Sequence, residues 1–346
     1  MAPVHSVRIN QGGTTLGMDP FGGLEPGEAR FDSSLGAWIL SRYADVSAAL
    51  REPRLSASPG SGAPGRDQAA NAAVREAAMQ ALASQRLAAW KKEIEPLACQ
   101  MAGGLPVGTP VDLLGEFAAP WSLALASLAS GARAAQAPRL AGLAHDVFLA
   151  AADGSAPAQD AVMELARTLA GHRGGLDVQS FVALSQTLPY FLAAAWLALF
   201  EDCEQTQYLR AQPSAMPAAI EELLRFASPS RTVTRYAVEP LEIGGVSIAP
   251  SSRVLLLLAA ANRDPAKFPH PHRLQLSRDA SGHLAFGAGP HTCAGSALIR
   301  MAAAIATTAL IQTTTSVELR LPVQWIGSLA IRAPQSLLVV LRRGVC

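Results

Sequence analysis

One segment near the C-terminal end constrains this chain more than any other: Phe286-Gly287-Ala288-Gly289-Pro290-His291-Thr292-Cys293-Ala294-Gly295. It joins an irregular stretch to a long run of Ala, Ile and Leu. Its glycines let the backbone turn tightly or approach a flat ligand closely. The cysteine stands at the mouth of the following helix, where the positive dipole end stabilises a thiolate. Gly295, just beyond, leaves room for something packed against that helix. A lone Cys is most often a small buried hydrophobe. That reading does not account for the whole spacing F-G-x-G-x-H-x-C-x-G.

Composition says what such a segment is embedded in. The chain has 346 residues, 28 Lys+Arg against 27 Asp+Glu, and a formal charge of +1. That length allows one large domain or two ordinary ones, with a core ample enough to enclose a cofactor. Near-neutrality excludes a nucleic-acid binder, which needs a basic excess for phosphate. Half the residues are hydrophobic, which excludes a disordered chain. Mean hydropathy is +0.21, so a membrane has to be considered. The longest apolar runs, Tyr190–Phe200 and Val254–Ala261, fall short of the roughly 20 residues a span requires. Nor does the N-terminus carry a basic segment followed by an apolar one. The expectation is a cytoplasmic, non-membrane protein with an Ala/Leu-rich core. The cysteines Cys99, Cys203, Cys293 and Cys346 form no C-x-x-C pair, which argues against structural zinc, and in a cytoplasm they stay reduced.

Along the chain, Met1 to about Arg30 reads as an irregular arm. Trp38-Ile39-Leu40 predicts a short strand, Tyr43–Glu52 a short helix and Ser56–Arg66 a flexible loop. Helical patterning runs from Ala69 to Met101, interrupted only by Pro96. It resumes from Ala118 to Arg210, broken at Gly154-Ser155 and Gly171–Gly175, and again over Met216–Phe226, entered through Pro217. Tyr236–Pro250 alternates around a Gly-Gly turn and predicts a hairpin. Pro265–Gly289 has no period, Ala294–Thr313 predicts a long helix, and Ser316–Leu341 alternates as strand. The chain is therefore expected to be mainly α with a minor β region, as a single domain over residues 1–346.

The Phe286–Gly295 pattern resembles the haem-binding loop of the cytochrome P450 family over its full length. The resemblance implies that fold, with haem b (iron protoporphyrin IX) as cofactor and residues 216–346 as its haem-binding, β-containing part. It makes Cys293 the proximal iron ligand. Phe286 packs under the ring and tunes the sulfur, Gly287, Ala294 and Gly295 lie against the cofactor, and His291 reaches a propionate. Glu222-Leu223-Leu224-Arg225 is an E-x-x-R whose ends share one helix face. The family closes this pair into a triad with a later arginine, for which Arg273 in Pro271-His272-Arg273-Leu274 is the match. Arg235 in Arg235-Tyr236-Ala237 is a second propionate contact, and Asn262-Arg263-Asp264-Pro265 also looks like a family element. Arg75 falls on the second position of the family's H-x-x-x-R pair. Asn71 replaces its histidine.

Two departures stand out. Counting back from Ala194–Phe200, which looks like the family's LLALL stretch, leads to Ala183-Leu184-Ser185-Gln186-Thr187. The family has A-G-x-(D/E)-T there, its glycine opening a groove for dioxygen and its acid–alcohol pair relaying protons. Thr187 is retained, Gln186 replaces the acid, and Leu184 replaces the glycine and narrows the pocket. An amide cannot cycle a proton as a carboxyl does, although it can hold a water. Pro189 removes one helical hydrogen bond and kinks this helix. Altered oxygen chemistry and ordinary oxygenation with a substitute relay both remain open. The second departure is length, because Gly131 to Ala183 is shorter than the family's F–G–H helix region. That shortened roof implies an open site, cover by a partner chain, or a bulky substrate brought by a carrier protein.

By resemblance, Ala183 and Thr187 face the haem, Val233, Thr234, Ser328 and Leu329 approach the substrate from the β side, and Ser56–Arg66 lines the entrance. The leading expectation is a haem-thiolate monooxygenase of secondary metabolism, oxidising a largely hydrophobic small molecule or carrier-bound intermediate. Its electrons come from a ferredoxin or flavodoxin. A second reading keeps the haem but makes the enzyme a peroxide-driven oxygenase, dehydratase or isomerase, as Gln186 and Leu184 favour. A third is a non-catalytic recruitment module, against which the intact Cys293 loop argues. His270 and His272 read as solvent-exposed, His145 and His172 receive no role, and Arg300 reads as a solvated helix charge before a docking cation.

Overall fold

Alanine and leucine are strong helix formers, and they dominate most of the helices in the computed structural model, which describes residues 24–60, 72, 76, 80, 82–153, 159–170 and 178–343. In chain order the first are α1 (Tyr43–Ala49), α2 (Ser84–Gly104), α3 (Ala119–Ser130), α4 (Ala137–Asp153) and α5 (Gln159–Ala170). A distal run follows, made of α6 (Val178–Val182), a π turn over Ala183–Thr187 and α7 (Leu188–Glu201). Then come α8 (Cys203–Ala211), α9 (Met216–Ala227), α10 (Leu258–Ala261) and α11 (Ser296–Thr313).

Strands β1 (Arg30–Asp32), β2 (Ala37–Leu40), β3 (Leu55–Ser56) and β4 (Pro110–Asp112) precede the distal run. The remainder are β5 (Thr232–Ala237), β6 (Leu241–Ile243), β7 (Val246–Ile248), β8 (Arg253–Leu257), β9 (Ser316–Leu319), β10 (Trp325–Gly327), β11 (Arg332–Pro334) and β12 (Leu338–Arg342). The main sheet has the order β1-β2-β8-β5-β3, and β2 runs parallel to β8 with Leu40 opposite Leu256. The expected hairpin is β6–β7, turning at Gly244-Gly245. Residues 61–66 of the flexible loop and both predicted glycine breaks lie outside the described residues.

Nearly all of α7 is buried, as expected of a helix that is apolar all round. Its Trp196 stacks on Phe117 at 5.4 Å, and its indole N–H donates to Thr307 on α11 at 3.0 Å. As one unit, Val178–Glu201 is long and apolar enough to cross a membrane by length and composition, as is Ser296–Thr313. This corrects the expectation from uninterrupted apolar runs, since scattered Ser, Gln and Thr do not end a helix. In the first of these helices 78% of the apolar window is buried inside the protein, so its apolarity serves the core.

A second π turn, Leu114–Ala118, precedes α3. Each π turn is followed by a proline in the first turn of the next α-helix, Pro120 and Pro189. A proline has no N–H to donate back to the carbonyl four residues earlier, here on Glu116 and Ser185. The expected irregularity at Pro189 is thus a widened turn, a feature common at functional sites. The two regions pack on one another, α3 against the distal π turn and α7 against Leu114–Ala118.

Candidate active site

Between α10 and α11 the chain lacks regular structure apart from a 3-10 turn at Gly289–His291. Its order comes from polar side chains. Leu284 N–H donates to Asn262 Oδ1 at 2.6 Å, and Asp264 accepts from Tyr43 N–H at 2.8 Å and Ala266 N–H at 2.9 Å. The cysteine loop then closes on itself. Gly287 N–H donates to Leu284 C=O at 2.9 Å, Thr292 Oγ1 to Gly289 C=O at 2.7 Å, and Cys293 N–H to Phe286 C=O at 2.9 Å. Gly287 and Gly289 hold φ of 69° and 71°, in the left-handed region. A Cβ on Gly289 would lie 2.7 Å from Leu50 O, so only glycine lets the loop rest on the end of α1. The Cys293 thiol is exposed, and its carbonyl accepts Ser296 N–H at 3.4 Å, one turn before α11. A Cβ on Gly295 would stand 3.8 Å from the sulfur, an ordinary contact, so this glycine does not relieve a clash with the thiol.

Glu222 and Arg225 form a fully buried bidentate pair on α9, at 2.7 and 2.8 Å. Arg225 also donates to the carbonyls of Asn262 and Pro271, each at 2.9 Å. The third arginine differs from the expected one. Arg278 Nε donates to Glu222 Oε1 at 3.1 Å with its side chain 8% exposed. Arg273 is exposed and offers only its backbone carbonyl, to Arg225 and Arg278, each at 3.4 Å. Arg278 reaches inward because it also donates to the carbonyls of Pro269 and His270, which fold the loop around it.

Glu221, the residue before, faces the cysteine loop. It accepts two hydrogen bonds from Arg300, at 2.5 and 2.9 Å, and one from His283 at 3.2 Å. Burial alone would raise this carboxyl. The hydrogen bonds from His283 and Arg300, with the Arg300 charge, hold it down at about 2. Arg300 is therefore a partly exposed charge paired with Glu221 rather than a free one.

On the distal run Ala183, Gln186 and Thr187 are half-buried. Leu184 is 3% exposed and packs within the main core. The extra residue of the π turn rotates the helix faces away from those an α-helical count assigns. Gln186 is engaged elsewhere: its amide donates to Ala141 C=O at 3.3 Å, and its Oε1 lies 3.2 Å from His145 Nδ1, both on α4. His145, given no role from sequence, thus has one. Tyr190 stacks on Phe148 of the same helix at 5.3 Å.

On the β side, Val233 and Thr234 lie half-buried on β5. The turn carrying Ser328 and Leu329 is tied to the start of that strand, Arg231 N–H donating to Ala330 C=O at 2.8 Å. Arg235 is 7% exposed and donates to Thr234 C=O at 2.9 Å, while His291 and Ala294 are half-buried in the cysteine loop. Asn71 and Arg75 lie outside the described residues. Sequence reasoning missed Glu221, His283 and Arg278, because no spacing rule separates them from ordinary surface charges.

Among the described residues no three His, Cys, Asp or Glu side chains gather as a metal-ligand set. A single exposed thiol on a closed, glycine-bearing loop instead suits iron already held by a macrocycle and needing one axial protein ligand. The residues present fit haem.

Comparison with known proteins agrees. The family model for cytochrome P450 matches residues 204–317. The 6-deoxyerythronolide B hydroxylase of Saccharopolyspora erythraea is 49% identical over 107 residues, 31% of this chain and 26% of that protein. The beta-dihydromenaquinone-9 omega-hydroxylase of Mycobacterium tuberculosis is 31% identical over 317 residues, covering 79% of this chain and 65% of that one. The chain thus aligns with less than two thirds of either relative's length. Among solved structures, P450BioI in complex with an acyl carrier protein superposes with a TM-score of 0.76 at 22% identity, covering 88% of this chain and 92% of that one. The chain belongs to the cytochrome P450 family and has its fold.

Proposed function

We propose that this protein is a haem-thiolate monooxygenase of secondary metabolism, working in the cytoplasm on a largely hydrophobic small molecule or a carrier-bound intermediate. The observation that carries the reading is the exposed Cys293 thiol at the end of a loop closed by the Phe286–Cys293 backbone hydrogen bond. Haem b, when bound, supplies the activation of dioxygen with two electrons from a ferredoxin or flavodoxin. Cys293 would ligate its iron and supply thiolate electron density. Phe286 would pack against the group, Arg235 and His291 would pair with its propionates, and Arg75 and Asn71 would serve another edge. Val233, Thr234, Ser328 and Leu329 orient the substrate, while Ala183 and the Thr187 hydroxyl border the distal side.

Two features support a carrier-bound substrate. P450BioI, which shares the fold, was captured with an acyl carrier protein. Between Gly131 and Ala183 the described residues form a 3-10 turn, α4, α5 and α6, a short roof by the sequence reading, over which a carrier or a partner chain would sit.

One observation favours a second reading, in which the haem serves a peroxide-driven oxygenation, a dehydration or an isomerisation. Gln186 replaces the family's acid and is hydrogen-bonded to α4, so it is not free to pass protons to Thr187. The experiment compares turnover of substrates that shift the haem spectrum, with a ferredoxin–reductase pair and with hydrogen peroxide. Coupled turnover with the reductase pair is the expected result. Turnover with peroxide alone selects the second reading, and a protein that takes up no haem overturns both.

A further inference from the structure

The E-x-x-R helix carries two consecutive glutamates with different work. Successive helical residues point about 100° apart, so Glu222 enters the buried arginine pair while Glu221 turns toward the cysteine loop. Glu221 Oε1 accepts Arg300 Nε–H at 2.5 Å and Oε2 accepts Arg300 Nη2–H at 2.9 Å, the two-pronged arrangement of a strong arginine–carboxylate pair. The same Oε2 lies 3.2 Å from His283 Nε2. His283 is almost wholly buried, and its Nδ1 accepts Ala285 N–H at 3.1 Å. Because Nδ1 accepts, the Nε2 proton is the one donated to Glu221, and both ring nitrogens are paired.

These two partners flank one side chain. The Arg300 guanidinium lies 4.8 Å from the Phe286 ring centroid, and the His283 ring lies 5.7 Å from it. Arg300 belongs to α11, after the cysteine, and His283 to the loop before it. A carboxylate on a third element, α9, holds both. The Phe286 carbonyl then accepts the Cys293 N–H at 2.9 Å. The chain of contacts runs from Glu221 through Arg300 and His283 to Phe286, and from there to the backbone of the cysteine.

We propose that Glu221 is a positioning residue for the Cys293 thiolate, holding Arg300 and His283 against Phe286 so that the cysteine backbone keeps one place. The inference rests on the haem-thiolate reading and adds a residue that the E-x-x-R pattern does not contain. It also removes Arg300 from the cations free to meet an electron donor, because its charge is matched within the clamp.

The test uses the haem-loaded protein and the Soret band of its reduced carbon monoxide complex, which distinguishes thiolate from thiol ligation. Glu221→Ala should load haem yet raise the ratio of thiol-type to thiolate-type complex about tenfold, equivalent to about 1.4 kcal/mol in ligand-state preference. Glu221→Asp, which keeps the charge, should recover part of the thiolate form, and Glu221→Gln should recover less. If Glu221→Ala does not fold, Arg300→Gln carries the same test, since it breaks the clamp from a more exposed position. A wild-type thiolate ratio in every variant that loads haem overturns the inference while leaving the haem-thiolate reading intact. A wild-type protein with no thiolate-type band overturns that reading first.

Discussion

The cysteine loop and the distal helix are held by different forces. The loop between α10 and α11 has almost no regular structure, and polar groups fix it: Asn262, Asp264, Glu221, His283 and Arg300 each bond to a named partner. The distal run is regular apart from its π turn, and apolar packing fixes it, with Leu184, Leu188 and Phe191 in the main core. The amide of Gln186 is spent on α4. Directional bonds tie function to residue identity, since few side chains can replace Asn262 or Glu222. Packing ties it to register, which a single extra residue in a turn resets.

The largest way to break this contrast lies on the polar side. Glu222→Ala leaves Arg225 and Arg278 without their carboxylate, with Arg225 wholly buried, and should cost about 3–5 kcal/mol in chemical denaturation. A loss below about 1 kcal/mol would mean that the triad does not organise the loop.

A paired comparison sharpens the triad's membership. Arg278→Gln should destabilise by about 2 kcal/mol, because it removes a charge-assisted bond to a buried carboxylate. Arg273→Gln at an exposed position should stay within about 0.5 kcal/mol of wild type. The reverse order in thermal unfolding would return Arg273 to the triad.

On the distal side effects should be smaller. Gln186→Ala removes its bonds to Ala141 and His145 and should lower stability by about 1 kcal/mol, with little change in coupling between electron use and product. A collapse in coupling would put Gln186 back in the proton path.

The acid dependence set by Glu221 tests the polar side in another way. Its carboxyl is lowered from 4.5 to about 2 in the folded protein. The stabilisation is therefore complete above 4.5 and disappears as pH falls through about 2. The gap between wild type and Glu221→Gln in denaturation should narrow over that acid window, and a gap independent of pH would contradict the ionised clamp.

The contrast also explains what was legible in the sequence. Cys293, Gly287, Gly289 and the Glu222–Arg225 pair declare themselves because each is demanded by chemistry or by backbone conformation. The strand at Trp38–Leu40, the β6–β7 hairpin and α9 follow from periodicity and turn residues, whereas β1, β3, β4 and β8 carry no such signal. Arg278 and Glu221 were hidden because their partners are remote in sequence, and a charged side chain in a loop or on a helix normally faces solvent. The π turn at Ala183–Thr187 was hidden because counting along an α-helix carries no sign of one. The membrane-length helix went unseen because its polar residues interrupt the apolar run without interrupting the helix.

The account stands or falls on whether Cys293 ligates haem iron through its thiolate. The direct measurement is the absorption spectrum of the purified, dithionite-reduced, carbon monoxide-bound protein beside its Cys293→Ala variant. A thiolate-type Soret band in the wild type that is lost in the variant is the expected result. A haem-free wild-type protein, or a band unchanged by Cys293→Ala, would contradict it.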